Sequence, residues 1–151
     1  MKTVIETESF AAMRKRSLER AQRHQETFVL ALFDVDDLKE VNDSHGHLAG
    51  DQLLLATANA LQTSCRASDI MGRLGGDEFI AVYHQAELEA MERSIATIRS
   101  RLRARPLRLG DAEQRSSFSF GLARFPEDGA DLDALVAVAD KRLYAMKSAQ
   151  P

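Results

Sequence analysis

A glycine pair followed at once by two carboxylates is the part of this sequence with the clearest chemical potential. Gly75 and Gly76 precede Asp77 and Glu78, and a further acidic residue, Asp34, closes an apolar run well upstream. Glycines at a tight turn let the backbone take positive φ and approach another group closely, and carboxylates are hard oxygen ligands for a divalent cation. Brought together, these groups predict an acidic pocket suited to a nucleoside triphosphate with magnesium.

Two predicted strand regions must bring these acidic residues together. The continuous apolar run 28–33 is too short for an independent helix and predicts a buried central strand that ends at Asp34. Short strands at 70–74 and 78–83 flank the glycine pair, and this spacing predicts a two-residue β-hairpin. The carboxylates would then lie on the turn, beside the end of the central strand.

Helical periodicity accounts for most of the remaining chain. Predicted helices cover 9–25, 38–44, a segment from 49 to about 65, 87–105 and 131–147, and a half-buried strand covers 117–125. Gly46 separates the second helix from the third, and Gly121 interrupts the last strand. This order of elements favours an α+β fold with a sheet covered by helices. We expect a single domain over 1–151, with no room in it for a separate sensor domain.

Composition limits the class of protein. The 151 residues are 44% hydrophobic and 28% charged, as expected for one soluble domain with a single core. The net charge of −3 gives no electrostatic footprint for a nucleic-acid polymer. No apolar run approaches the roughly 20 residues needed to span a bilayer and no signal pattern begins the chain, so we expect a cytoplasmic protein without a membrane segment. The lone Cys65 cannot form an internal disulfide.

Four segments together carry a longer pattern. They are 73–79 (RLGGDEF), 34–51 (DVDDLKEVNDSHGHLAGD), 117–121 (SFSFG) and 139–147 (ADKRLYAMK). This pattern resembles the GGDEF family, the bacterial diguanylate cyclases, over nearly the whole chain. The resemblance implies a nucleotidyl cyclase-like architecture, with a mainly antiparallel sheet of the ferredoxin-like palm type. It also implies the family's activity, which is condensation of two GTP molecules into cyclic di-GMP.

The resemblance assigns the acidic residues to catalysis and metal binding. It implies two magnesium ions, with manganese as an alternative, held by the Asp34 and Asp77 carboxylates and the Val35 backbone carbonyl. Asp77 and Glu78 are the implied catalytic pair, with Glu78 supporting the metal or the nucleophile. The alternative for this pair is a solvated polar turn.

Five further positions match the family's nucleotide contacts. Asn42 and Asp51 occupy base-reading positions, and guanine, with donors at N1 and N2 and acceptors at O6 and N7, needs an amide and a carboxylate there. The alternative for both residues is helix capping. Lys39 and Lys147 match phosphate-contacting lysines, although an exposed lysine is more often merely solvated. Gly76 lets the triphosphate lie against the backbone.

Regulation and assembly are also implied by the resemblance. Arg66 and Asp69 stand at the family's RxxD inhibitory site, which binds the product cyclic di-GMP, and the alternative is an ordinary surface ion pair. Each domain binds one GTP, so product requires a homodimer with two domains facing each other. Any sensor or dimerising region lies outside this chain.

Two parts of the family pattern have no counterpart. The opening "D.LTGL.NRR" segment is missing from 1–10, and the phosphate-contacting arginine that follows the lysine helix is missing from 148–151. These departures motivate two alternatives to the enzyme. One is a weakly active or inactive module that binds GTP or cyclic di-GMP as a regulatory domain, and the other is an interaction domain with a vestigial site.

Overall fold

The computed structural model describes residues 7–150, with the side chains of 7–10 and 13 left out. The helices are α1 (Thr7–His24), α2 (Leu38–His45), α3 (His47–Gln62), α4 (Leu88–Arg103) and α5 (Leu132–Ser148). The strands are β1 (Phe28–Val35), β2 (Ile70–Arg73), β3 (Glu78–His84), β4 (Leu107–Leu109), β5 (Ala112–Gln114) and β6 (Phe118–Phe125). The predicted elements are confirmed in order and type. The small β4–β5 hairpin is an addition, since strands of three residues are too short for periodicity to reveal.

Four of the strands form the central sheet, in the order β2-β3-β1-β6. Every neighbouring pair is antiparallel, which confirms the predicted α+β class. β1 lies between β3 and β6, so groups at its end are flanked by both neighbours. Within the described residues, no helix has the length and apolar character needed to cross a bilayer.

The sheet is covered on both faces, which explains why β1 is apolar without interruption. Leu30 and its alternate neighbours pack with α1 and α5, whereas Ala31 and its neighbours pack with α2, α3 and α4. Asp34 continues the series of Leu30 and Leu32. The alternation therefore directs Asp34 to the face that α5 covers.

Gly121 does not interrupt the last strand, so the expected break there is wrong. β6 is continuous from Phe118 to Phe125, and the backbone of α5 lies close against Gly121. A Cβ at this position would overlap the Ala139 carbonyl oxygen and the Leu143 amide nitrogen. Glycine is needed here for space.

Candidate active site

The ends of β1 and β3 bring the predicted acidic residues together. Asp34 lies opposite Glu78 in the antiparallel register, and the Val35 amide donates a hydrogen bond of 2.9 Å to the Asp77 carbonyl. Asp34 and Glu78 therefore form a non-hydrogen-bonded pair, the kind in which facing side chains are closest. Like charges directly opposite one another repel, so this strand end concentrates negative charge.

The Asp34 carboxylate is buried and only partly satisfied. Its Oδ2 accepts a hydrogen bond from Nζ of Lys147, whereas its Oδ1 is buried with no hydrogen-bond partner. The pKa of Asp34 is raised to about 6, because burial and the neighbouring Asp77 raise it by more than the bond to Lys147 lowers it. The charged form of Asp34 is thus disfavoured, and a bound cation would stabilise it.

Helix α5 forms the wall opposite these strand ends. Asp140, Tyr144 and Lys147 recur at helical spacing and line a cleft of about 220 Å³ together with Asp34 and Glu78. Burial lowers the pKa of Lys147, but the hydrogen bond and charge of Asp34 raise it by more, so its net shift is upward. Lys147 is a charged ammonium that faces the acidic pair.

The glycine pair lies in a longer connection than the predicted two-residue turn, so that prediction is wrong. Strand β2 ends at Arg73 and β3 begins at Glu78, and among the described glycines only Gly46 and Gly110 have positive φ. Arg73 holds the loop by donating to the carbonyls of Gly75, at 2.9 Å, and Gly76, at 2.7 Å. A Cβ at Gly76 would meet nothing within 4 Å, so this side of the loop is open.

The predicted base-reading residues come from two consecutive helices. Asn42 lies in α2 and the exposed Asp51 in the first turns of α3, and Gly46, with φ of 87°, is the cap residue between the helices. The capping alternative for Asn42 and Asp51 is therefore wrong. Lys39 is exposed on α2.

Gly50 packs against Asn42, a contact that sequence reasoning missed. A Cβ at Gly50 would overlap Oδ1 of the Asn42 side chain. A signal was available, because a glycine inside a helical pattern is less favourable than alanine and so raises the question of what it packs against.

The predicted metal-binding set has fewer side-chain ligands than a dedicated metal cage. Over residues 7–150, no group of three or more His, Cys, Asp or Glu side chains is placed to hold a metal ion. The predicted set consists of two carboxylates, Asp34 and Asp77, and one backbone carbonyl, Val35. Such a set leaves ligand positions for other oxygen donors.

The chain was compared with models of known protein families. Residues 7–151 match the family model described as "Diguanylate cyclase, GGDEF domain". The chain belongs to the GGDEF family.

The relatives of this GGDEF domain are named for different activities. The diguanylate cyclase DosC of Escherichia coli (strain K12) is 36% identical over 134 residues, which are 88% of this chain and 29% of that protein. The cyclic di-GMP phosphodiesterase PdeR of the same organism is 39% identical over 114 residues, 76% of this chain and 17% of that protein. The chain thus spans less than a third of either relative.

A solved structure has the same fold. The GGDEF domain of DgcB from Caulobacter crescentus, solved in complex with c-di-GMP, superposes with a TM-score of 0.88 and is 25% identical in sequence. The match covers 96% of this chain and 86% of that one.

In this GGDEF domain the RxxD segment has a structural role that the sequence did not indicate. Asp69 is 1% exposed, and its carboxylate accepts hydrogen bonds from the backbone amides of Arg66, at 2.8 Å, and His84, at 3.0 Å. The Arg66 side chain is exposed and donates to Asp69, at 3.3 Å, and to the His84 carbonyl. Of Arg66 and Asp69, only Arg66 is exposed to solvent, so Asp69 would have to give up internal hydrogen bonds to contact a ligand.

His84 extends this hydrogen-bonded cluster to helix α1. Its Nε2 lies 3.0 Å from the Ser17 hydroxyl, and its Nδ1 lies 3.7 Å from Asp69. The cluster therefore ties α1 to the end of the sheet remote from the acidic pair.

The Asp69→Asn substitution is expected to destabilise the fold in a pH-dependent way. The amides and side chains around Asp69 lower its pKa from 3.8 to about 2, against the opposing effect of burial. A depressed pKa contributes stability that is complete above the unfolded value and is lost as pH falls toward 2. We expect a difference in unfolding free energy of about 2 kcal/mol at pH 7, shrinking below pH 4.

Urea denaturation of both proteins at pH 7 and pH 3 measures this difference. Asp111→Asn, at an exposed turn residue, is the control and is expected to change neither value. A difference for Asp69→Asn that stays constant with pH would contradict the assignment.

One predicted feature lies largely outside the described residues. The missing opening motif falls on 1–10, of which 1–6 are not described and 7–10 are described only as helical backbone. Residue 151 is likewise not described.

Proposed function

We propose that this GGDEF domain is a diguanylate cyclase that condenses two GTP molecules into cyclic di-GMP. The observation that carries the proposal is the cluster of carboxylates where β1 and β3 meet, in which buried Asp34 has an unpartnered Oδ1 and lies beside Asp77. Family membership and the relative named as a diguanylate cyclase support it. We also propose that the 151 residues act as one catalytic unit, in the cytoplasm where GTP is supplied.

The donor set fits magnesium. Mg²⁺ is usually bound by one or two carboxylates together with substrate phosphates, and Asp34, Asp77 and the Val35 carbonyl supply hard oxygens of that kind. The raised pKa of Asp34 reports an unfavourable negative charge, which a divalent cation would stabilise. Manganese, which also prefers oxygen ligands, is the alternative ion. When bound, magnesium polarises the phosphate and lowers the pKa of the attacking hydroxyl.

Base selection is assigned to Asn42 and Asp51. A carboxylate at Asp51 can accept from N1–H and N2–H of guanine, and the Asn42 amide can donate to O6 or N7. Adenine would place the acceptor N1 against the carboxylate, which is repulsive. The two side chains thus favour GTP over ATP.

The remaining residues hold the phosphates and accept the proton. The 3′-oxygen of one GTP bonds to the α-phosphorus of the other, the bond to the β-phosphate oxygen breaks, and pyrophosphate leaves. We assign the 3′-hydroxyl proton to Glu78, which lies opposite Asp34. We assign the phosphate contacts to Lys39, to the open side of Gly76 and to Lys147, whose ammonium bonds to Asp34 in this structure.

Catalysis in this proposal requires two copies of the chain. One site holds one GTP, and both 3′-hydroxyls must attack, so two domains face each other about a two-fold axis. Product can also bind at Arg66 as an inhibitor, subject to the rearrangement of Asp69 described above. Sensor or dimerising elements are supplied from outside this chain.

Incubation with GTP and magnesium over a range of protein concentrations tests the proposal. We expect cyclic di-GMP, detected by chromatography, and an initial rate per chain that rises with concentration until the dimer saturates. ATP in place of GTP is expected to give no product.

Calorimetry at the same protein concentrations tests the regulatory alternative. Calorimetric binding of GTP without turnover, at concentrations where the chain is dimeric, would replace the enzyme with a nucleotide-binding module. An absence of both binding and turnover would indicate a vestigial site.

A further inference from the structure

Gly50 occupies a position where glycine is locally unfavourable. It is buried in α3 and does not have positive φ, so no backbone requirement explains it. Within a helix, glycine is less favourable than alanine because it loses more conformational freedom on folding. The reason for a glycine at this position must therefore lie in what surrounds it.

The space that a side chain would take at Gly50 is filled by Asn42. A Cβ built there would overlap Oδ1 of Asn42, lie 2.8 Å from its Cγ and lie 3.3 Å from its Nδ2. These three nearest atoms all belong to one side chain, and none belongs to the backbone of α2. The glycine thus makes room for the Asn42 side-chain amide.

The turn between the helices sets this contact. The Gly46 amide donates to the Asn42 carbonyl at 2.9 Å, and the Gly50 amide donates to the Gly46 carbonyl at 3.3 Å. These bonds fix Asn42 and Gly50 on opposite sides of the junction. Asp51 follows Gly50 directly, so the position of the Asn42 amide relative to Asp51 depends on the surface at Gly50.

We propose that Gly50 is a positioning residue for guanine selection, acting through Asn42. The inference rests on the proposed function, in which Asn42 and Asp51 read one base. With hydrogen at position 50, the Asn42 amide lies against α3 at the residue that precedes Asp51. Any Cβ moves the amide away, so hydrogen bonds to the base are lost although Asn42 itself is intact.

The test is a double-mutant cycle of Gly50→Ala and Asn42→Ala. Binding of non-hydrolysable GTP and ATP analogues with magnesium is measured by calorimetry for the wild type, both single variants and the double variant. We expect Gly50→Ala to weaken GTP-analogue binding about tenfold, the effect of losing one hydrogen bond, and to reduce the preference over the ATP analogue. The double variant is expected to bind like Asn42→Ala alone.

A stability cycle on the same four proteins provides a second measurement. With Asn42 absent, alanine at 50 is expected to raise the urea midpoint, because the obstruction is gone and alanine favours the helix. With Asn42 present, alanine at position 50 is not expected to raise the urea midpoint. A purely structural role for Gly50 would lower the midpoint in both backgrounds.

The outcomes separate this inference from the proposed function. If the wild type binds no guanine nucleotide, the proposed function is overturned and the inference with it. If the wild type binds the GTP analogue but Gly50→Ala keeps its affinity and selectivity, or if the two losses multiply in the double variant, only the role of Gly50 is overturned.

Discussion

Replacing Asp77 with asparagine is expected to lower the rate of cyclic di-GMP formation about a thousandfold or more. The substitution keeps the size of the side chain but removes one of two carboxylates in the proposed metal set. A metal ion contributes several kcal/mol of transition-state stabilisation, and each 1.36 kcal/mol corresponds to a factor of ten in rate. The measurement is initial product formation at saturating GTP and magnesium.

Two observations make this loss specific to the site. Asp77 is only partly buried, and its backbone carbonyl, which accepts from Val35 at 2.9 Å, is unaffected by the change, so we expect the urea midpoint not to fall. The pKa of Asp34 is expected to fall, because the neighbouring negative charge that raises it is gone. Asp111→Asn is the control for loss of a carboxylate outside the site. Near-normal turnover of Asp77→Asn would remove Asp77 from the metal set.

Among glycine-to-alanine substitutions in this fold, Gly121→Ala is expected to cause the largest loss of stability. The new Cβ would overlap the Ala139 carbonyl oxygen and the Leu143 amide nitrogen. These are backbone atoms of α5, which cannot move as a flexible side chain can. Overpacking of this kind costs about 3 kcal/mol, which corresponds to about 6–12 °C in melting temperature for a domain of this size.

Gly75→Ala is a matched control for this prediction. It adds the same methyl group to a glycine without positive φ, but nothing lies within 4 Å of the new atom. Thermal unfolding of both variants is the measurement. Equal melting temperatures for the two would mean that α5 can shift away from β6, and the close approach would then not be a constraint on the fold.

Helix α5 also connects stability to the proposed chemistry. Leu143 faces the apolar layer beside the sheet, and Lys147, one turn further, bonds to Asp34. A displaced α5 in Gly121→Ala would therefore move Lys147 as well. We expect that variant to show a weaker affinity for GTP even at temperatures where it remains folded.

The fold was largely predictable because its signals are local. The apolar run of β1 and the three- and four-residue spacing of the helices each follow from the burial of one or both faces of an element. The position of the β2–β3 hairpin was predicted correctly, but the length of its connecting loop was not. Its loop geometry depends on Arg73, whose side chain bonds the carbonyls of Gly75 and Gly76, and a side chain's partner is not encoded in periodicity.

The sequence by itself determined the family, the order of the elements and the set of candidate residues, because motifs and periodicity are properties of neighbours along the chain. Only the tertiary structure decided how those residues interact. Lys147 donates a hydrogen bond to Asp34, which lies 113 positions away in the sequence. The Asp69 carboxylate accepts internal hydrogen bonds, and the Asn42 side chain packs against Gly50. Each of these contacts depends on how helices pack against the sheet or against each other, and on which groups that packing removes from water.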